Sequence, residues 1–249
     1  QPLLEAARRV AIRKPVVVLK SGRTAPGARA AFRHTGAVND DSPLDDDVAR
    51  QYGMLPVSRV DEFVTTLATF DRLPLPLGNR VAVLTNSGGA GVYTLDALVS
   101  RDIAPAQLSP STAAALRSLL PPFAVVGDPD GYVDSGGGVG PRQTAQAVAA
   151  LLRDPGVDAV VQLFVPTPFN SAEDMARDLL RLLPGIRRNS LAKPLFPVFL
   201  GGREVLPARR LLEENGMMTF ASPEGVAAAL AAILRYAWAR QRLAHALMR

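Results

Sequence analysis

Apolar runs alternate with amphipathic stretches along nearly the whole chain. The short apolar runs predict buried strands, and the stretches between them have the three- and four-residue spacing of helices that cover a sheet. Alternating strands and helices are typical of a parallel sheet with helices on both faces. We therefore predict an α/β protein built from flavodoxin-like, doubly wound parallel sheets.

A linker rich in proline and glycine interrupts this series at residues 74–79. Before it, two strand patterns (15–19 and 55–58) and a helix (60–70) resemble only the last third of a domain. After it, five strand–helix pairs make one complete domain. We predict a partial domain over residues 1–73 and a complete domain over residues 74–249, including the C-terminal helix. Both ends lie inside helical patterns, so we expect a piece of a longer polypeptide.

Composition and charge narrow the possible functions. The chain has no cysteine, which excludes disulfides, thiol catalysis and cysteine-based zinc sites. It has no apolar run of about 18 residues and no signal-peptide pattern, so we expect no membrane partner and a cytoplasmic location. The net charge of +5 comes mostly from arginines scattered among acids, so we predict no nucleic-acid partner.

Candidate chemistry lies in loops that follow strands, where ligands bind in open α/β sheets. The first such loop contains His34, one of two histidines in the chain. A neutral imidazole is an available nucleophile near pH 7. Taken alone, however, a single loop histidine is more often an ordinary surface residue. The other histidine, His245, lies on the terminal helix and is interpreted as a solvated or packing residue.

Two glycine-rich loops follow later strands. In the loop over residues 85–92, small residues and a helix start expose backbone N–H groups that can bind an anion. The alternative is a tight turn that needs glycine for packing. In the loop over residues 134–138, three consecutive glycines indicate either close approach to a ligand or mobility.

Acidic residues after the first loop do not have the spacing of a calcium loop, and we predict no metal site. The later members of this group favour a helix start. The residues are Asp40, Asp41, Asp45, Asp46 and Asp47.

These loops, in this order, resemble the succinyl-CoA synthetase family and its acetate/acyl-CoA ligase relatives that form a nucleoside diphosphate. Residues 14–24 resemble the strand and turn before the family's phosphohistidine loop, and RHTGA (33–37) resembles that loop. LTNSGGAG (84–91) resembles a helix N-terminus that holds the phosphate. DSGGG (134–138) resembles a segment of the family's β chain, and residues 154–160 are also typical of the family.

The resemblance implies that His34 is the catalytic residue that takes the phosphate. It also implies an acid–thiol ligase that makes acyl-CoA from a carboxylic acid, CoA and ATP, through an acyl phosphate and a phosphohistidine. This piece alone is expected to be inactive. The residues implied in phosphate binding are Gly36, Ser87, Gly88, Gly89, Ala90, Gly136 and Gly137.

The resemblance further implies partners outside this chain. They are a CoA-binding Rossmann domain and an ATP-grasp domain or subunit, which would hold most of the CoA and ATP/ADP with magnesium, in an oligomer. The chain departs from the family after Ala37, where Asn39, Asp40 and Asp41 replace a glycine-rich stretch. A regulatory module of a protein lysine acetyltransferase, without synthetase activity, is therefore the alternative. The sequence does not show which acyl group the enzyme uses, or whether its nucleotide product is ADP or GDP.

Overall fold

The computed structural model describes residues 2–35, 46–127, 131–188 and 193–247. The chain divides into two compact units, one that combines residues 1–70 with 232–249 and one formed by residues 71–231. The predicted second domain runs to residue 249, whereas the structure groups the last 18 residues with the first unit. The division falls inside the last helix, whose 25 residues extend over about 37 Å.

The first unit contains a two-stranded parallel sheet whose register runs from Val16–Met54 to Leu19–Val57. A small core of Ala7, Ala49 and Met54 packs beside it. Its elements are α1 (Pro2–Ala11), β1 (Val16–Leu19), α2 (Ala25–Thr35), α3 (Asp46–Gln51), β2 (Met54–Val57) and α4 (Val60–Arg72, whose last two residues belong to the second unit).

The second unit contains a sheet of six described strands in the order β5-β6-β3-β7-β8, with β4 on the same edge of β3 as β6. All pairs are parallel except β5–β6. The elements are β3 (Arg80–Thr85), α5 (Gly88–Val99), β4 (Ala104–Pro105), α6 (Pro110–Leu119), β5 (Val125–Val126), β6 (Tyr132–Asp134), α7 (Pro141–Arg153), β7 (Ala159–Phe164), α8 (Ala172–Arg188), β8 (Leu195–Phe199), a 3₁₀ turn (Arg203–Val205), α9 (Leu206–Glu214) and α10 (Pro223–Leu247, whose residues from 232 onward belong to the first unit).

Both faces of this sheet are buried, as continuous apolar strands require. On one face, Ala82, Leu84 and Val160 join a core with side chains of α6 to α9. Val83 and Val161, which point to the other face, are also fully buried. The predicted α/β class with parallel sheets is confirmed.

Two details differ from the predicted elements. The pattern of residues 217–220 predicts a strand, but the structure forms only a single bridge there, between Phe220 and Val198. The short strand β5 pairs antiparallel with β6, which the alternating pattern did not predict. None of the helices in the described ranges is both long enough and apolar enough to cross a membrane.

Buried carboxylates fix the amino ends of the strands in the second unit. The Asp158 Oδ2 atom accepts bonds from the Arg80 backbone N–H at 3.0 Å and from Arg80 Nε at 2.8 Å. The hydrogen bond from the Arg80 side chain holds the pKa of Asp158 below its usual value, against the opposing effect of burial. This pairing ties β3 to β7 at the end of the sheet opposite the candidate loops.

Candidate active site

Three loops meet at the carboxyl edge of the larger sheet. They follow β3, β6 and β7, and they lie side by side because β6 and β7 flank β3 on its two edges. This edge is where open parallel sheets bind ligands. The two glycine-rich loops singled out in the sequence are thus neighbours.

Buried polar side chains tie the three loops together. The Asn86 amide pairs with the Val165 backbone through two bonds of 2.8 Å, one donated and one accepted. Ser135, which is fully buried, donates its backbone N–H to Thr85 O at 2.9 Å and its hydroxyl to the same oxygen at 3.0 Å. The Asn170 amide donates to Gly137 O at 2.9 Å. These bonds make the loops a fixed platform.

The N-terminal turn of α5 lies on this platform. Its N-cap, Ser87, donates its backbone N–H to Thr85 Oγ1 at 2.9 Å, so this amide already has an acceptor. The next three N–H groups belong to Gly88, Gly89 and Ala90, and the first N–H groups of a helix have no intrahelical acceptor. The predicted anion site therefore narrows from four amides to three.

The glycines of this turn have different structural roles. A Cβ on Gly88 would lie 2.8 Å from Asp134 Oδ2, and a Cβ on Gly91 would lie 2.6 Å from Thr85 Cγ2 and 2.7 Å from Tyr132 Cε2. Both positions need glycine for packing. A Cβ on Gly89 would meet nothing within 4 Å, so this glycine faces open space. The packing interpretation of the loop therefore holds at Gly88 and Gly91, and the anion-binding interpretation stays a prediction.

The glycine run after β6 is ordered by its neighbours. Gly136 has a φ of +75°, which favours glycine, and its N–H donates to Asp134 Oδ1 at 2.9 Å. Gly137 O accepts from Thr167 Oγ1 at 3.1 Å as well as from Asn170. The run thus builds the platform, and the Gly136 amide is occupied by a carboxylate.

Asp134 brings negative charge to the helix N-terminus. The nearby Tyr132 hydroxyl donates to Gly88 O at 3.2 Å. Burial, followed by the charge of Asp134, raises the pKa of Tyr132, so this hydroxyl stays protonated near neutral pH. A carboxylate near the amides of a helix N-terminus stabilises the helix. It also competes with a bound anion for the positive end of the helix dipole.

His34 belongs to the first unit, where the structure corrects the predicted loop. It lies in the last turn of α2 and is exposed. The segment was predicted as a loop because it follows a strand and small residues flank the histidine. Its alanines, with Pro26 in the first turn, favour a helix nonetheless, and Thr24 Oγ1 accepts from Gly27 N at 3.2 Å at its start. Gly36 lies outside the described residues.

The acidic residues after the first loop are described only in part. Asp40, Asp41 and Asp45 lie outside the described residues. Asp46 and Asp47 begin α3, as their helix-start pattern predicts. Asp46 pairs with Arg23 at 2.9 Å, and that hydrogen bond lowers the pKa of Asp46.

The residues that fix the loops were not identified as functional from the sequence. Asn86, Asp134 and Ser135 stand within the quoted motifs but were given no role of their own, and Thr167 and Asn170 were not singled out. Asn86 and Ser135 share a signal, which is a small polar residue directly after a strand, where its side chain reaches the backbone of a neighbouring loop.

Comparison with known families agrees with this arrangement. Residues 81–247 match the Ligase-CoA domain, and residues 1–70 match the succinyl-CoA ligase like flavodoxin domain. The chain belongs to the Ligase-CoA domain family. The predicted resemblance to acyl-CoA ligases is thereby confirmed.

Individual relatives of this Ligase-CoA chain are ligases. It is 36% identical over 240 residues to the alpha subunit of the ADP-forming acetate–CoA ligase II of Pyrococcus furiosus, covering 94% of this chain and 50% of that protein. It is 26% identical over 225 residues to the ADP-forming 4-hydroxybutyrate–CoA ligase of Nitrosopumilus maritimus, covering 90% of this chain and 31% of that protein.

A solved structure shares the fold. The dinucleotide-forming acetyl-coenzyme A synthetase 1 of Ca. Korarchaeum cryptofilum, in complex with phosphate and ADP, superposes with a TM-score of 0.88 at 29% identity, covering 98% of this chain and 52% of that chain. The Ligase-CoA chain spans about half the length of the first curated relative that it matches. These relatives give no support to the alternative prediction of an acetyltransferase regulatory module.

Proposed function

We propose that this chain carries the phosphohistidine and the ligase-CoA part of an ADP-forming acyl-CoA synthetase. The complete enzyme would make acyl-CoA from a carboxylic acid, CoA and ATP through an acyl phosphate and a phosphohistidine. The observation that carries the proposal is that both units match adjacent domains of this ligase family and that a relative covering 94% of the chain is an alpha subunit of such a ligase.

His34 is proposed as the phosphoryl acceptor. An exposed imidazole at the end of a helix is accessible to a phosphoryl donor, and its neutral form is a nucleophile. Gly36, two residues later, is proposed to contact the same phosphate. The reaction then needs a second group of donors, since phosphoryl transfer depends on positioning and charge stabilisation more than on covalent help from the protein.

The N-terminal turn of α5 is proposed to supply these donors. The amides of Gly88, Gly89 and Ala90 point from a helix N-terminus, where the dipole favours an anion, and a Cβ on Gly89 would meet nothing within 4 Å. The polar platform beneath them fixes their positions before a phosphate arrives, which is the condition for effective electrostatic stabilisation. Gly137 is proposed to line the same site, whereas Ser87 and Gly136 contribute by shaping the turns.

CoA and ATP/ADP with magnesium are proposed to bind mainly to domains outside this chain, a CoA-binding Rossmann domain and an ATP-grasp domain or subunit. In the described ranges, no three histidine or acidic side chains come together in a way that would hold a metal ion. This chain alone is expected to have no synthetase activity.

The test uses the full-length protein together with its ATP-grasp domain or subunit. Incubation with γ-labelled ATP and magnesium should phosphorylate His34, and the label should be acid-labile and base-stable. His34→Ala should remove both the label and acyl-CoA formation. His245→Ala is the matched control, since these two are the chain's only histidines, and it should retain both.

Two results would contradict the assignment. One is a label that persists on the His34→Ala protein, and the other is a complete wild-type assembly that takes no label on histidine. Circular dichroism of His34→Ala should be unchanged, because the residue is exposed.

A further inference from the structure

Two buried hydroxyl groups lie behind the N-terminal turn of α5. The Tyr132 hydroxyl donates to Gly88 O at 3.2 Å, and the Thr85 hydroxyl donates to Ser87 O at 3.0 Å. Tyr132 belongs to β6 and Thr85 to β3, and the two residues are 8% and 1% exposed. Two successive carbonyls of the turn therefore each accept a bond from a side chain of the sheet.

These bonds are additional to those of the helix itself. Ser87 O already accepts from Gly91 N at 3.0 Å, and Gly88 O is the acceptor that an α-helix provides for the N–H four residues later. A carbonyl oxygen has two lone pairs, so each hydroxyl bonds to the second one. The Tyr132 hydroxyl can therefore be removed without leaving a helix carbonyl unpaired.

Each of these carbonyls shares a peptide unit with an amide that we propose for phosphate binding. Ser87 O belongs to the unit that carries the Gly88 N–H, and Gly88 O belongs to the unit that carries the Gly89 N–H. A hydrogen bond to the oxygen of a peptide unit polarises that unit and makes its N–H a stronger donor, by roughly 10–30% per bond. The oxygen and the N–H point in opposite directions along the helix axis, so the hydroxyl does not occupy the amide.

Packing fixes both hydroxyls in place. A Cβ on Gly91 would lie 2.6 Å from Thr85 Cγ2 and 2.7 Å from Tyr132 Cε2, so both side chains press against the turn at this glycine. Neither hydroxyl is free to turn to water, because both residues are buried. Burial also strengthens the electrostatic effect of each bond, since the local dielectric is low.

We propose that Thr85 and Tyr132 are positioning residues of the phosphate site. Their hydroxyls fix and polarise the two peptide units whose N–H groups, those of Gly88 and Gly89, bind the anion. Neither side chain contacts the phosphate, and both act through the backbone. This inference rests on the proposed function, which places phosphate at these amides, and it adds a reason why this helix N-terminus binds an anion more strongly than its dipole alone would.

The Tyr132 hydroxyl is tested by NMR of the ¹⁵N-labelled chain, with and without inorganic phosphate. Tyr132→Phe removes only the hydroxyl and keeps the ring against Gly91. The Gly89 N–H becomes a weaker donor, so its ¹⁵N and ¹H resonances should move to higher field before phosphate is added. Phosphate should then bind about two- to fivefold more weakly. Tyr93→Phe is the matched control: it removes an exposed hydroxyl of α5 that pairs with Glu224, and it should change neither quantity.

The Thr85 hydroxyl is tested through the other amide. Thr85→Val should move the Gly88 resonances to higher field and leave those of Gly89 in place, the reverse of Tyr132→Phe. Thr85→Ser keeps the hydroxyl and should restore the wild-type position of the Gly88 resonances. A role in packing alone does not predict this exchange, because a displaced turn shifts neighbouring amides together.

The inference is overturned if Tyr132→Phe binds phosphate as tightly as the wild type while phosphate moves the Gly88 and Gly89 resonances of both proteins. The proposed phosphate site would then stand without it. It is also overturned if Tyr132→Phe shifts the Gly88, Gly89 and Ala90 resonances alike, since that pattern reports a displaced turn. If phosphate moves none of these resonances in the wild type, the proposed phosphate site itself is wrong, and the inference fails with it.

Discussion

Asp134 directs its carboxylate at the Cα of Gly88, so that Oδ2 lies 2.8 Å from the position of a Cβ at that residue. The other oxygen of the same carboxylate accepts from Gly136 N at 2.9 Å. Asp134 thus links the two glycine-rich loops and explains why glycine is needed at position 88. It also places a negative charge beside the amides that we propose for phosphate binding.

This packing predicts a rank order for alanine substitutions on α5. Gly91→Ala should lower the free energy of unfolding most, by about 2–3 kcal/mol, because the buried side chains of Thr85 and Tyr132 cannot move away. Gly88→Ala should cost about 1 kcal/mol, since the Asp134 carboxylate can rotate at the loss of one hydrogen bond. Gly89→Ala, in open space, should be neutral or stabilising by up to about 1 kcal/mol. Urea unfolding measures all three, and a Gly89→Ala loss as large as that of Gly91→Ala would contradict the assigned roles.

A buried amide in the centre of the sheet predicts a stabilising substitution. Gln162 on β7 is fully buried, and neither its Oε1 nor its Nε2 atom has a hydrogen-bond partner among the described residues. Gln162→Met keeps the length of the side chain and removes both polar groups, so it should raise the free energy of unfolding by about 1–2 kcal/mol. Gln146→Met on the exposed side of α7 is the control and should change it by less than about 0.5 kcal/mol. If Gln162→Met destabilises the protein instead, the amide has a partner such as a buried water.

Asp158 predicts how stability depends on pH. Its pKa is lowered first by the hydrogen bond from the Arg80 side chain, and its side chain is 6% exposed. Since the folded-state pKa lies below the unfolded value of about 3.9, the stabilising contribution is complete above that value and is lost as the pH falls through the folded-state pKa. Asp158→Asn should lower the free energy of unfolding at pH 7 by about 1–3 kcal/mol and flatten the decline below pH 4.

Asp96→Asn provides the comparison for this measurement, because Asp96 is an exposed carboxylate on α5. It should change stability at pH 7 by less than about 0.5 kcal/mol. Chemical unfolding at several pH values between 3 and 7 follows both variants. If the free energy of unfolding of Asp158→Asn falls below pH 4 as steeply as that of the wild type, protonation of Asp158 does not cause the loss of stability in acid.

The sequence predicted most elements of the second unit because local signals agree there. Helix α7, for example, runs over Pro141–Arg153, because Pro141 favours a helix start and the helix ends before Asp154. In contrast, α2 was predicted as a loop, because it follows a strand and its motif resembles a loop motif. The antiparallel strand β5 has only two residues, too few for a periodic pattern.

The sequence predicted which loops form the candidate site, but it did not predict the hydrogen bonds that hold these loops together. The order of strands and glycines indicates which loops bind a ligand. The bonds that fix these loops join residues far apart in the chain, such as Asn86 with Val165, 79 positions later, and Ser135 with Thr85, 50 positions earlier. No local pattern records such pairs. Two local bonds were not predicted either: Thr85 occupies the Ser87 amide and Asp134 occupies the Gly136 amide, each two positions away.

The relationship between Asp134 and the α5 amides also predicts how inorganic phosphate binds to this chain. Gly89→Asp should abolish binding, because it adds a negative charge to the turn that carries the proposed amides, at a position where a Cβ would meet nothing within 4 Å. Asp134→Asn should tighten binding about three- to tenfold at low salt, since it removes a like charge next to the site, and the gain should shrink as ionic strength rises. Gly140→Asp adds the same charge as Gly89→Asp at the N-cap of α7, where aspartate is favourable, and should leave phosphate binding unchanged. Calorimetry and ³¹P line broadening measure the affinities.

If phosphate binds to Gly89→Asp as tightly as to the wild type, the anion site lies elsewhere. Weaker binding by Asp134→Asn would show instead that this carboxylate holds the loops in their binding geometry and does not compete with the ligand.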